Sequence, residues 1–179
     1  QTIYKFLSDR HPSSKYDLAT SFIERAMTFA SSGGSTAVVA PQNWHTIGSY
    51  QAFREQILDN STINLIARLG AGAFGQGSLW DFGVSLFINT NHPPTPQHKV
   101  GCIDVSEAPQ PHLKANGLAI LQIQFPLQSE QRRSPNARLV FTSTQSLEHL
   151  SKYARSFAGI LNGDSPRFVA FFWEVPPGS

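Results

Sequence analysis

Residues 17–40 constrain the fold more than any other stretch. Asp17 has the chemistry of a helix N-cap, and Leu18, Phe22, Ile23, Ala26, Met27 and Ala30 follow at helical spacing until Gly33-Gly34 stops the run. The next segment, Thr36-Ala37-Val38-Val39-Ala40, is short, nearly continuous in apolar character and closed by Pro41. Such a run predicts a strand buried on both faces of a parallel sheet. Helix, glycine turn and buried strand form one αβ unit. A second unit follows. Ser49 is a candidate cap for a helix running to Leu58 with Phe53, Ile57 and Leu58 on one face, and Ile63 to Ala67 reads as the next strand. Repetition of the unit predicts an α/β layered sheet.

The ends of this region read less regularly. Thr2 to Arg10 is weakly amphipathic through Ile3, Phe6 and Leu7, and Pro12 lies just beyond it. After Ala67 comes a glycine-rich loop, Gly70 to Ser78, and then an apolar run from Phe82 to Ile88. That connection is shorter than a parallel crossover requires, so the run is expected to return antiparallel at the sheet edge. His92-Pro93-Pro94-Thr95-Pro96 is a turn-rich linker and marks a sub-boundary, with 1–91 on one side and 92–179 on the other. Beyond it Val100 to Val105, Leu118 to Phe125 and Arg138 to Thr142 are read as strands, and Leu147 to Tyr153 as a short helix. At 179 residues and 40% hydrophobic content the chain can bury a real core.

Composition excludes several functions. Fourteen Lys and Arg against 12 Asp and Glu leave a net charge of +2, far from the balance of a strongly basic nucleic-acid-binding domain. Cys102 is the single cysteine, which rules out an internal disulfide and a cysteine-rich zinc site and fits a reducing compartment. The sequence has neither a long apolar span nor a signal-peptide pattern, so a cytoplasmic location away from membranes is expected. Histidines 11, 45, 92, 98, 112 and 149 lack metal-ligand spacing and are read as ordinary loop or surface residues. Phosphate-loop, zinc-helix and nucleophile-elbow motifs are absent. Gly70-Ala71-Gly72-Ala73-Phe74-Gly75 mimics a dinucleotide fingerprint, but no clear helix opens after it.

One pattern is more specific. Lys15-Tyr16-Asp17-Leu18-Ala19-Thr20-Ser21-Phe22-Ile23-Glu24-Arg25-Ala26-Met27 is followed by Gly33 to Trp44, by Ser49 to Leu58 and by Ile66-Ala67-Arg68-Leu69-Gly70-Ala71-Gly72-Ala73-Phe74. In order, spacing and residue type these blocks resemble the region downstream of the catalytic motif in adenine-N6 DNA methyltransferases. The resemblance is greatest to the large methylases of restriction-modification enzymes and of BREX-type phage defence. Tyr153 to Val169, ending near Trp173-Glu174-Val175, resembles the junction where such proteins pass into a target-recognition domain.

The resemblance implies the later half of a Rossmann-like methyltransferase sheet ending in an antiparallel hairpin, with a small α+β extension. It implies methyl transfer from S-adenosylmethionine to an adenine extruded from double-stranded DNA. The family's cofactor loop and its Asn/Asp-Pro-Pro-Tyr/Phe catalytic loop have no counterpart here. The Pro-Pro pairs at 93–94 and 176–177 lie downstream of the matching blocks. The chain, which opens Gln1-Thr2-Ile3 without Met, is therefore expected to be a piece of such an enzyme. Alone it should be inactive, require an upstream segment or partner subunit, and tend to self-associate.

By the same resemblance Phe74 takes the aromatic position that packs on the flipped base, where stacking is worth about 1–3 kcal/mol; the alternative is a core anchor. Tyr16 and Asp17 fall near the active-site floor. Gln42, Asn43 and Trp44 follow a strand at its carboxyl end, where α/β sheets place ligand loops, and are read as lining a DNA cleft; for Trp44, covering the sheet edge is the favoured alternative. Arg132, Arg133 and Arg138 form a local basic cluster suited to phosphate contacts or to a solvated loop. Two further readings are a non-enzymatic, methylase-like module that binds DNA or a subunit, and an unrelated α/β enzyme. The lack of an acid, base or nucleophile constellation counts against the last.

Overall fold

A computed structural model of the chain describes residues 2–74, 82–141 and 152–155. Helix α1 (Ile3–Arg10) ends at His11, just before Pro12, and helix α2 (Leu18–Phe29) begins at Asp17, whose Oδ1 accepts a 2.8 Å hydrogen bond from the Ala19 amide. This is the cap the sequence predicts. Gly33 then turns the chain with φ +77° into β1 (Ser35–Pro41). After two short 3-10 turns come α3 (Gln51–Asn60), β2 (Thr62–Gly70), β3 (Val84–Thr90) and β4 (Gly101–Asp104). Helices α4 (Pro111–Ile120) and α5 (Gln128–Arg133) complete the regular elements among the described residues. No helix among them is long and apolar enough to cross a membrane.

The four strands form one mixed sheet in the order β1-β3-β2-β4. β3 runs antiparallel to both β1 and β2, while β2 and β4 are parallel, so β1, β2 and β4 point one way and β3 alone is reversed. The return of β3 against β2 follows the expected sense. Its position does not, because β3 lies inside the sheet and β1 takes the edge. β1 is consequently not buried on both faces: its residues alternate and Val39 is 58% exposed. A continuous apolar run reports hydrophobicity but not which strands flank it.

One face of the sheet carries the main core. Ile23 of α2 and Phe53, Ile57 and Leu58 of α3 pack with Trp44, Ile63, Ile66, Phe87, Val100 and Cys102. Each such large apolar side chain contributes about 1.5–3 kcal/mol when fully buried. The other face is covered near β2 and β4 by α4, through Ala67, Leu69, Ile103, Val105 and Leu118. α2 is rotated relative to its sequence-predicted face: Thr20, Ser21 and Ile23 are buried, whereas Leu18 and Phe22 are exposed. Ser14 explains much of this. It is wholly buried, its carbonyl accepts from Thr20 Oγ1 and Ser21 Oγ, and its hydroxyl bonds Glu24, so the inward face is held by hydrogen bonds.

Three further expectations are corrected. Ser49 does not cap α3; it lies in the 3-10 turn Gly48–Tyr50 that runs into the helix. Leu118 to Phe125 is not a strand. Pro111 opens α4, which runs to Ile120, and only Gln124 bridges to Cys102 of β4. Residues 138–141 are not in a strand either; Val140 is instead held by Gln131, whose amide both donates to and accepts from its backbone. Thr142 and most of the helix read at 147–153 lie outside the described residues. By compactness the chain divides into Gln1–Ser143 and Thr144–Ser179.

Candidate nucleic-acid interface

Strands β1 and β2 run the same way and finish at the same end of the sheet, on either side of the start of β3, and there the chain builds a groove. β1 closes at Pro41, the Gln42 amide donates to the Gly83 carbonyl at 2.8 Å, and Asn43–His45 coils into a 3-10 turn. β2 arrives with a bulge at Leu69, between the Arg68–Ser85 and Gly70–Val84 pairs. Bulges of this kind re-aim side chains beside functional clefts. Gly70 has φ +70°, and a Cβ there would stand 2.8 Å from the Ser106 Cα, so only glycine fits. The resulting groove, of about 420 Å³, is lined by Pro41, Gln42, Asn43, Thr46, Ile47, Arg68, Phe82 and Gly83.

Arg68 brings a guanidinium to the groove, its charge offset by Asp104. Its Nη1 bonds Asp104 Oδ2 at 3.0 Å and its guanidinium lies 4.3 Å from the centre of the Phe141 ring, which holds the side chain in place. Asp104 is fixed in turn, accepting from the Ser106 amide and hydroxyl. Reasoning from sequence passed over Arg68. The available signal was an arginine directly after the apolar run Ile63 to Ala67, at the carboxyl end of the strand.

Phe74 stands in the turn after Gly70 and is 73% exposed, so it is no core anchor. Phe82 and Ile47 are also exposed, giving this end of the sheet an apolar rim. Gln42 and Asn43, read from sequence as residues of a DNA cleft, line this groove. Trp44 does not. It is completely buried, edge-on to Phe53 and Phe87 at ring distances of 5.4 and 5.3 Å, and offers no surface to a ligand. Turn geometry decides this, because the 3-10 coil after Gln42 swings the indole back under the sheet.

His45, read as a loop histidine, is also fully buried. Its Nε2 lies 3.2 Å from Ser85 Oγ, and burial, with Arg68 and then Arg54 adding to it, pushes its pKa down to about 3. It is a neutral structural residue near pH 7. Tyr16 is exposed and meets Tyr50 edge-on at 6.0 Å.

Arg132 and Arg133 are elsewhere. They sit on α5 beside the α3 C-terminus and the Pro94–Pro96 linker, at the end of β2 opposite the groove. Arg132 pairs with Glu55 at 3.1 Å and Asp59 at 3.0 Å, which offsets its charge. Sequence proximity brought these residues together with Arg138, but the fold does not bring them to Phe74.

Comparison with known proteins agrees with the resemblance read from sequence. Residues 1–74 match the Eco57I restriction-modification methylase family. The chain is 40% identical over 72 residues to the adenine-specific methyltransferase BrxX of Escherichia coli O9:H4 (strain HS), and 34% identical over 74 residues to the adenine-specific methyltransferase PglX of Lacticaseibacillus casei (strain Zhang). These alignments cover 40% and 41% of this chain but only 6% of each relative. Among solved structures, a modification subunit assigned to a type I restriction enzyme of Vibrio vulnificus YJ016 aligns with a TM-score of 0.49 and 20% identity, over 63% of this chain and 27% of that one. The quoted blocks up to Phe74 therefore lie within the family match, while 153–175 lies outside it.

Proposed function

We propose that this chain is part of an S-adenosylmethionine-dependent adenine-N6 DNA methyltransferase of a restriction-modification or phage-defence system. In this reading the four strands are the later part of the methyltransferase sheet, residues 1–91 belong to the catalytic domain, and 92–179 lead toward a target-recognition domain. The groove at the carboxyl ends of β1 and β2 faces the extruded adenine. Phe74 supplies a stacking surface, and Asn43 and Arg68 supply polar contacts to base and backbone. The observation that carries the proposal is the family match over residues 1–74, which ends on Phe74 itself.

The described residues do not fit the cofactor. Gly70 and Gly72 both have positive φ, but Gly70 ends a bulged strand and residues 71–74 form a turn. Asp104, the carboxylate paired with the groove's Arg68, is already engaged by it and by Ser106. S-adenosylmethionine is accordingly proposed to bind outside this chain, and the chain alone to be inactive.

Two measurements test the reading. In calorimetric titration the 179-residue chain should not bind S-adenosylmethionine, whereas a longer polypeptide that joins it to an Asn-Pro-Pro-Tyr-containing segment should; binding by the chain itself overturns the placement of the cofactor site. In fluorescence anisotropy with a duplex carrying an unpaired adenine, Phe74→Ala should weaken binding roughly tenfold or more, the value of one lost base stack. Equal affinity of wild type and Phe74→Ala removes the role given to Phe74.

A further inference from the structure

Gln42 lines the groove, yet its contacts run to the chain rather than toward a ligand. Its Oε1 accepts from the Gly70 amide at 3.3 Å, and its backbone amide donates to the Gly83 carbonyl at 2.8 Å. Gly70 is the last residue of β2 and Gly83 directly precedes β3, so these two residues are the feet of the 71–82 connection that carries Phe74. The side chain of Gln42 also fills the space a side chain at position 83 would need. A Cβ on Gly83 would lie 2.6 Å from Gln42 Nε2 and 2.8 Å from its Cδ.

From this geometry we infer that Gln42 is a positioning residue, a clasp that joins the two feet of the Phe74 connection and ties them to the end of β1. The consequence for DNA rests on the proposed role of Phe74; the clasp itself does not. Two features define the clasp. Its working atom is the acceptor Oε1, which a carboxylate reproduces and an alanine removes. The Cδ and Nε2 of Gln42 also lie against Gly83, so a side chain there would push the end of Gln42 aside and loosen the Oε1 contact to Gly70.

The test uses the intact chain with the variants Gln42→Ala, Gln42→Glu, Gly83→Ala and the double variant Gln42→Ala/Gly83→Ala. The first readout needs no DNA. Exchange of the Gly70 amide, referenced to the Ile66 amide in the core of β2, should speed up about tenfold in Gln42→Ala and Gly83→Ala and stay near wild type in Gln42→Glu, as loss or retention of one hydrogen bond predicts. Unchanged Gly70 exchange in Gln42→Ala, with Ile66 still protected, overturns the clasp.

The second readout is affinity for the duplex with an unpaired adenine. Gln42→Ala and Gly83→Ala should each weaken it several-fold, and the double variant no more than either single one. If Gly70 exchange speeds up in Gln42→Glu as much as in Gln42→Ala, with Ile66 still protected, Oε1 is not the working atom and the inference is wrong. If Phe74→Ala has no effect on affinity, the Phe74 reading fails separately and Gly70 exchange alone decides the clasp.

Discussion

His45 and Gly70 show how single side chains set the conditions under which this end of the sheet exists. His45 is held neutral with a pKa of about 3, against an ordinary value of 6.5. Between those values the unfolded chain binds a proton that the native chain refuses, so stability is complete above pH 6.5 and falls as pH drops toward 3. Urea unfolding from pH 7 to pH 5 should show a loss approaching about 1.4 kcal/mol per pH unit from this group. His45→Gln should be less stable at pH 7 but flatter across that range, and an unchanged slope would mean that another group titrates. At Gly70 a side chain meets both a left-handed backbone and the Ser106 main chain, so Gly70→Ala should cost on the order of 3 kcal/mol. Chemical denaturation reads that value directly. The glycine-rich loop was plain in the sequence; the reason for glycine at position 70 was not, because Ser106 reaches it only through the fold.

Individual elements were easier to read than their surroundings. α2 with its Asp17 cap, α3 with its Phe53-Ile57-Leu58 stripe, and strands β2 and β4 all follow from local periodicity. What fastens them together is buried polar chemistry. Arg54 of α3 is fully buried and donates to the carbonyls of Trp44, Ile47, Asn136 and Ala137, pinning the groove turn and the segment after α5 to one helix. Lys114 of α4 donates to the carbonyls of Leu69, Val105 and Ser106, closing the ends of β2 and β4 behind the groove. Gln128 of α5 bonds Leu58, Ser61 and Ile63 across the α3–β2 junction. Arg54→Met leaves four carbonyls without their donor and should cost about 3 kcal/mol, with amide exchange rising first at residues 44–47 and 136–139. An effect below about 1 kcal/mol would show that water replaces the guanidinium.

At the scale of the molecule, apolar surface is distributed unevenly. α1 and α2 expose Ile3, Tyr4, Phe6, Leu18, Phe22 and Phe29, and the groove between the two helices, about 580 Å³, also carries Arg10 and Arg25. Among the described residues β1 lies at the sheet edge and pairs with β3 on one side only. Contiguous apolar surface and an unpaired strand edge both favour association. Sedimentation velocity at rising concentration should show reversible self-association that Phe22→Glu suppresses; a monomer at all concentrations counts against an exposed contact face.

Local sequence determined α2 with its cap, α3, β2 and β4, and the resemblance of residues 1–74 to a methylase pattern, because each rests on neighbours within a few turns of chain. Only tertiary structure decided that β3 enters between β1 and β2, which makes β1 an edge and leaves Val39 in solvent. It also buried Trp44 and His45, and it separated Arg132 and Arg133 from Phe74 by the length of the sheet. Those outcomes depend on contacts between residues 40 or more positions apart, such as Gln42 with Gly83, Ser85 with His45 and Arg54 with Asn136. No periodicity within either partner encodes them, since burial is a property of what the rest of the chain places alongside.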